Sequence, residues 1–98
     1  MSSDQITVHK EMGLTHDDLL RLLPVLAQPY VFTVSEQQIV ISNNDQIVTI
    51  DYSIERTRKI ASFELPVTDV NIVFTGFDQQ QVKEFITKFD RVYQRGGG

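Results

Sequence analysis

The fold class is indicated first by residues 77–95, which read FDQQQVKEFITKFDRVYQR. Asp78 and Gln81 have the spacing of a helix-capping box, and Phe77 and Val82 have the spacing of the hydrophobic staple that accompanies it. Beyond the cap, apolar side chains recur every three or four residues in one stripe: Val82, Phe85, Ile86, Phe89, Val92 and Tyr93. The stretch therefore predicts a C-terminal amphipathic helix whose apolar side must pack on another layer.

Residues 30–75, which precede this helix, alternate apolar and polar side chains with the period of two that is typical of strands. They predict five strands, at residues 30–35, 39–41, 47–54, 60–65 and 70–75. Residues 42–45 have the composition of a hairpin turn, and residues 56–59 are predicted to be a charged reversal. Pro66 is predicted to end a strand or to mark a sheet edge. Connections this short require neighbouring strands to run antiparallel.

The first thirty residues predict a short edge strand at residues 5–12 and a short helix. Thr15 is a preferred N-cap residue, and the helix is predicted to span residues 16–23, with a further ragged turn to about residue 26. The whole is expected to be an α+β two-layer sandwich. It consists of an antiparallel β-meander of four to five strands, with a short N-terminal helix and a C-terminal amphipathic helix packed on one face. Residues 1–95 are expected to form a single domain and residues 96–98 a flexible glycine tail.

Composition narrows the class of function. The chain has 98 residues and no Cys, so disulfides, thiolate metal sites and cysteine nucleophiles are excluded. Its net charge of −4 and pI of about 4.9 argue against nucleic acid as a partner. No apolar run approaches the ~20 residues that span a bilayer, and the N-terminus lacks a signal-peptide pattern. We therefore expect a cytoplasmic protein that makes no membrane contact.

No residue pattern predicts catalysis or a bound cofactor. His9 and His16 lie in different predicted elements and lack the i, i+4 spacing of a helical zinc pair. Asp17 and Asp18 could join them only through the tertiary fold, and the helix dipole already accounts for acids at a helix start. The chain has neither a nucleophile elbow nor a glycine-rich phosphate loop. We expect no catalytic residue, no cofactor and no metal.

The main candidate for a binding surface is the side of the predicted sheet that faces away from the helices. Five β-branched apolar residues fall on this side, among polar ones: Val31, Val40, Ile47, Ile60 and Val73. The solvent-facing side of an antiparallel sheet is usually more polar. Contiguous residues of this kind would mark an interface with a partner protein or with a second copy of the chain. Strand twist or an error of register would instead scatter them.

The densest basic cluster is a second candidate site. Arg56, Arg58 and Lys59 would form a basic tip on the predicted reversal. Such a tip could contact phosphates or an acidic partner protein, or it could simply be a solvated turn.

The C-terminal glycines are a third candidate site. A free end formed by Gly97 and Gly98 resembles the ubiquitin-like and sulfur-carrier proteins, and the resemblance is confined to these last residues. It implies activation of the terminal carboxylate by adenylation. Those proteins have the element order ββαββ and a tail that follows a strand, whereas the tail here follows a predicted helix.

The expected function is that of a non-enzymatic protein-interaction module, a small acidic adaptor or chaperone-like protein. We expect a module of bacterial style, and small acidic proteins that escort partners, such as secretion-chaperone-like proteins, resemble it in size and charge alone. One alternative is a covalent carrier that uses the C-terminal glycines. The other is a small ligand-binding protein or enzyme with a pocket between the helices and the sheet, near His9, His16 and residues 24–29.

Overall fold

The computed structural model describes residues 5–96, which form six strands and three helices. In chain order the elements are β1 (Gln5–Met12), α1 (His16–Arg21), α2 (Leu23–Ala27), β2 (Val31–Ser35), β3 (Gln38–Asn43), β4 (Gln46–Tyr52), β5 (Arg56–Ile60), β6 (Phe63–Thr75) and α3 (Gln79–Gly96). The prediction of an α+β two-layer sandwich with a C-terminal helix is confirmed. None of the helices within residues 5–96 is both long enough and apolar enough to cross a membrane.

The sheet is antiparallel throughout, with the strand order β1-β6-β4-β3-β2. Strand β1 lies at one edge, as its alternation predicts, and pairs with residues 68–75 of β6. Strand β5 stands outside this order and pairs only with the first part of β6. The described residues thus contain six strands, which correspond to the predicted edge strand and the five strands predicted after the helices, although the bounds of the last two differ from the prediction.

The core lies between the three helices and the side of the sheet that faces them. Ile72 and Phe74 of β6 and Phe89 of α3 have no exposed surface. Burial of each such side chain is worth roughly 1.5–3 kcal/mol relative to exposure. Two hydrogen bonds join α3 to the N-terminal helices: the Tyr93 hydroxyl donates to the Leu19 carbonyl at 2.9 Å, and Lys88 Nζ donates to the Gln28 carbonyl at 2.8 Å.

The predicted helix starts are confirmed. The Thr15 hydroxyl accepts a hydrogen bond from the Asp18 backbone N–H at 3.1 Å. Asp78 and Gln81 bond each other's backbone N–H, at 2.8 Å and 3.0 Å, which is the reciprocal capping box. The helix predicted at residues 16–23 is instead two short helices, α1 and α2, because Pro24 lacks an N–H and is tolerated only in a first turn.

The predicted charged reversal at residues 56–59 is wrong. These residues form strand β5, and the chain turns at Ala61 and Ser62, so Ile60 pairs with Phe63. Consequently the strand predicted at residues 60–65 does not exist, and β6 runs through Pro66 without a break. Pro66 is tolerated there because this part of β6 pairs only with β5, so the other edge of β6 has no partner strand. A Pro, which lacks a backbone N–H, is compatible with such an edge. We call the two-stranded extension formed by residues 56–67 the arm.

Candidate interaction surfaces

Four of the five predicted interface residues lie together on the sheet side opposite the helices. They belong to two cross-strand rows that span β2, β3, β4, β6 and β1. The first row consists of Thr33, Val40, Thr49, Val73 and Thr7. The second row consists of Val31, Ser42, Ile47, Thr75 and Gln5. We call these ten positions the uncharged patch, because none of them has an ionisable side chain.

The uncharged patch faces solvent, since the helices pack on the other side of the sheet. Val31 is 70% exposed and Ile47 is 38% exposed, while Val40 and Val73 are half-buried between their neighbours. The cores of protein interfaces are depleted of charge in the same way, because a charged group is costly to desolvate. The patch therefore shares the lack of charge of an interface core, although six of its ten side chains are the polar Thr, Ser and Gln.

Polar side chains border this patch in the adjoining row. There Gln38 donates to Asp51 at 2.8 Å, and His9 Nδ1 lies 2.7 Å from Asn71 Oδ1. Both pairs link neighbouring strands on the same side of the sheet as the patch. A polar border around an uncharged centre is the usual anatomy of an interface.

A network of ion pairs lies farther along the same side of the sheet, where the arm leaves it. Arg56 contacts Asp69 Oδ2 at 3.1 Å and Glu11 Oε2 at 2.7 Å, and Arg58 contacts Glu11 Oε1 at 2.6 Å. We call these four residues the charged band. The Arg56 and Arg58 guanidiniums lower the pKa of Glu11, and Arg56 lowers the pKa of Asp69. All four groups are near the surface, so these ion pairs contribute little to the stability of the fold.

The charged band separates Ile60 from the rest of the predicted interface. Along β6, Val73 in the patch lies ten positions from Phe63, the partner of Ile60. At about 3.3 Å per residue this is on the order of 33 Å. The prediction that Ile60 shares one surface with the other four is therefore wrong, because it assigned Ile60 to a strand that the turn at Ala61 and Ser62 interrupts.

The arm carries the most exposed aromatic side chain among the described residues. Phe63 is 68% exposed, Ile60 is 51% exposed and Leu65 is 45% exposed. Register places these three on one face of the arm, because Ile60 pairs with Phe63 and Leu65 pairs with Arg58. A single strand at residues 60–65, as the alternation predicts, would put Phe63 and Leu65 on the side opposite Ile60. Only the position of the two-residue turn, which nothing in the periodicity marks, brings them together.

The predicted basic tip is also changed by the structure. Arg56 and Arg58 lie at the base and middle of β5 and are engaged by Glu11 and Asp69. Lys59 lies beside the turn, 3.8 Å from Glu64 on the paired strand. Arg56 and Arg58 are thus neutralised within the chain, and only Lys59 remains largely exposed beside the turn.

A cleft of about 290 Å³ lies at the opposite end of the molecule, between α3, α2 and the β3–β4 hairpin. Its apolar wall is made by Leu26, Ile41, Val48, Phe77 and Phe85. Polar residues complete the lining: Gln28, Ser42, Asn43, Gln46, Gln81, Glu84 and Lys88. The predicted pocket between helices and sheet thus has a counterpart beside Pro29 that neither His9 nor His16 lines. A second and more open hollow, of about 610 Å³, lies between β1 and the end of α3, and His9 lines it.

The two histidines have separate partners. His9 bonds Asn71 on the outer side of the sheet, whereas His16 Nε2 lies 2.6 Å from the Ser53 carbonyl and its ring packs against Tyr52 at 4.9 Å. Within residues 5–96, no group of three or more His, Asp or Glu side chains is placed to hold a metal ion. The candidate tail of Gly97 and Gly98 lies outside the described residues.

No protein-family description, no curated protein and no solved structure matches this chain. Its function must therefore be argued from the surfaces themselves.

Proposed function

We propose that this protein is a non-enzymatic interaction module that binds another protein through the uncharged patch. The observation that carries the proposal is the absence of ionisable side chains from ten adjacent solvent-facing positions. Removing such a surface from water costs little in charge desolvation and gains roughly 25 cal/mol per Å² of apolar area. This balance favours a partner that covers the patch.

The shape of the patch favours a flat partner surface. Five paired strands about 4.8 Å apart form a shallow sheet face, on which another sheet packs at a distance of about 10 Å. A standard interface buries about 800 Å² on each partner. The patch supplies the centre of such an area, and the row with Asp51 and His9 and the charged band supply its rim.

The test is recovery of a partner from the native host with an N-terminally tagged chain, which leaves the C-terminus free. Ile47→Asp places a charge on an exposed position at the centre of the second row, and we expect it to abolish recovery of any stoichiometric partner. Thr87→Asp, which places the same charge at an exposed position of α3, is the matched control and is expected to retain that partner. Circular dichroism verifies that both variants fold.

Two results would overturn the proposal. One is recovery of the same partner by wild type and by Ile47→Asp at equal yield. The other is loss of the partner on removal of Gly97 and Gly98 alone, with the patch intact, because this result supports the covalent carrier. A mass change at the C-terminus in the host would support the carrier in the same way.

A further inference from the structure

We propose that the arm of one copy of this chain docks into the cleft of a second copy. This contact is separate from the one proposed for the uncharged patch. It would account for an exposed phenylalanine at one end of the molecule and an apolar cleft at the other.

The positions of arm and cleft require that the two belong to different copies. Strand β6 runs from Phe63 beside the arm's turn to Thr75, and Phe77 just beyond it lines the cleft. At about 3.3 Å per residue, the path from Phe63 to Phe77 is on the order of 45 Å. The longest dimension of the molecule is 50 Å. The arm therefore projects away from its own cleft, and only a second copy can bring the two together.

The arm has a suitable shape for the cleft. Ala61 and Ser62, its turn residues, are small, so the arm ends in a narrow tip with Phe63 beside it. The cleft volume of about 290 Å³ accommodates an aromatic ring. Phe77 and Phe85 already pack edge-to-face with centroids 6.4 Å apart, and an entering ring would extend this aromatic cluster.

Charges at the two ends are complementary. Next to the arm's turn are Lys59 and Glu64, whose side chains are 74% and 61% exposed. At the mouth of the cleft are Glu84 and Lys88, one helical turn apart on α3. Lys88 also donates to the Gln28 carbonyl, but an ammonium has two further N–H donors. The exposed Lys59–Glu64 pair is weak at 3.8 Å, so each end can still offer one charge of each sign to the other. Self-association through the β5 edges of two copies is a poorer alternative. In an antiparallel pair centred on Arg58, the two Arg58 side chains would lie opposite each other, and like charges in that position are destabilising.

The experiment measures molar mass by sedimentation across the micromolar range, with wild type and two exposed-site variants. Wild type is expected to rise above the monomer mass of 11.2 kDa as concentration increases. Phe63→Asp disables the arm, and Glu84→Trp blocks the mouth of the cleft. Each variant alone is expected to weaken self-association by at least about thirtyfold, the effect of removing one central aromatic contact.

Mixing the variants identifies the contact. Glu84→Trp retains a working arm and Phe63→Asp retains a working cleft, so an equimolar mixture is expected to form a one-to-one dimer that neither forms alone. Ile47→Asp, which alters only the uncharged patch, is expected to self-associate as wild type does. This variant therefore separates failure of the arm contact from failure of the proposed function.

The contact is refuted if wild type remains monomeric at the highest concentration, or if Phe63→Asp associates as wild type does. It is also refuted if the mixture of variants contains only monomers, because the arm would then act on a surface other than the cleft. Both substituted side chains are exposed, and matching circular dichroism spectra will show that the variants fold.

Discussion

Replacing Tyr93 by Phe isolates the hydrogen bond that ties α3 to α1. The Tyr93 side chain is only 4% exposed, and its hydroxyl donates to the Leu19 carbonyl at 2.9 Å. The ring remains in the variant, so the packing of α3 is kept and only the hydroxyl is lost. A buried carbonyl that loses its donor costs about 1–3 kcal/mol in the free energy of unfolding. For a domain of this size, each kcal/mol lowers Tm by about 4–8 °C.

The same substitution has a distinct signature at high pH. Burial raises the pKa of Tyr93 above its ordinary value of about 10. Between that value and the raised folded-state pKa, the unfolded chain releases the phenol proton and the folded chain retains it. The unfolded state then binds fewer protons, so wild-type stability falls as pH rises through this window. At pH 11 the loss from this one group is about 1.4 kcal/mol, and the Phe variant lacks it.

Urea unfolding followed by circular dichroism at several values between pH 7 and pH 11 tests both the contribution of the hydrogen bond and the pH dependence. We expect the advantage of wild type over Tyr93→Phe to be largest at neutral pH and to shrink by about 1.4 kcal/mol at pH 11. Tyr30→Phe, at an exposed position, is the control and should change neither quantity. Equal stability of wild type and Tyr93→Phe at pH 7, together with equal loss at pH 11, would refute the burial and the hydrogen bond assigned to Tyr93.

Two further perturbations test the turn before α3 and the charged band. Gly76→Ala should destabilise the fold by about 1–2 kcal/mol or more, since Gly76 has φ +82° and an added Cβ would lie 2.5 Å from the Asp45 carbonyl oxygen; an unchanged Tm would contradict this. Carboxyl titrations of Glu11 and Asp69 by NMR should have midpoints below the ordinary 4.5 and 3.8, because Arg56 favours both carboxylates. Their contribution to stability is thus present above those values and is lost as pH falls through the lowered pKa values. Arg56→Gln should return both midpoints toward ordinary, and midpoints unchanged by this variant would show that the band does not form.

Much of the fold could be predicted from local patterns. The capping box at Asp78 and Gln81 and the N-cap at Thr15 are short-range signals, and each has the predicted hydrogen bond. The period of two also identified the face to which Val40 and Ile47 belong, because side chains alternate strictly along a strand. These features depend only on residues a few positions apart.

The arm was the main feature that local patterns missed. Residues 56–59 are rich in charge and were predicted to be a reversal, yet they pair with β6 as a strand. The charges are accommodated because Arg56 and Arg58 meet Glu11, which is more than forty residues away in the chain. The actual turn has Ala61 at φ +56°, a conformation that Ala rarely adopts. An Ala at this position therefore gives no sequence signal for a turn.

The sequence alone thus determined α3, the first four strands, the helix caps and the two sides of the sheet, since these follow from local cap signals and from the periods of helix and strand. Tertiary structure decided which surfaces exist. It joined Val31, Val40, Ile47 and Val73 into one patch, moved Ile60 to the arm with Phe63, and formed the cleft between α3 and the β3–β4 hairpin. The physical reason is that strand pairing between distant segments sets register and strand ends, and a turn shifted by a few residues changes which side chains share a face.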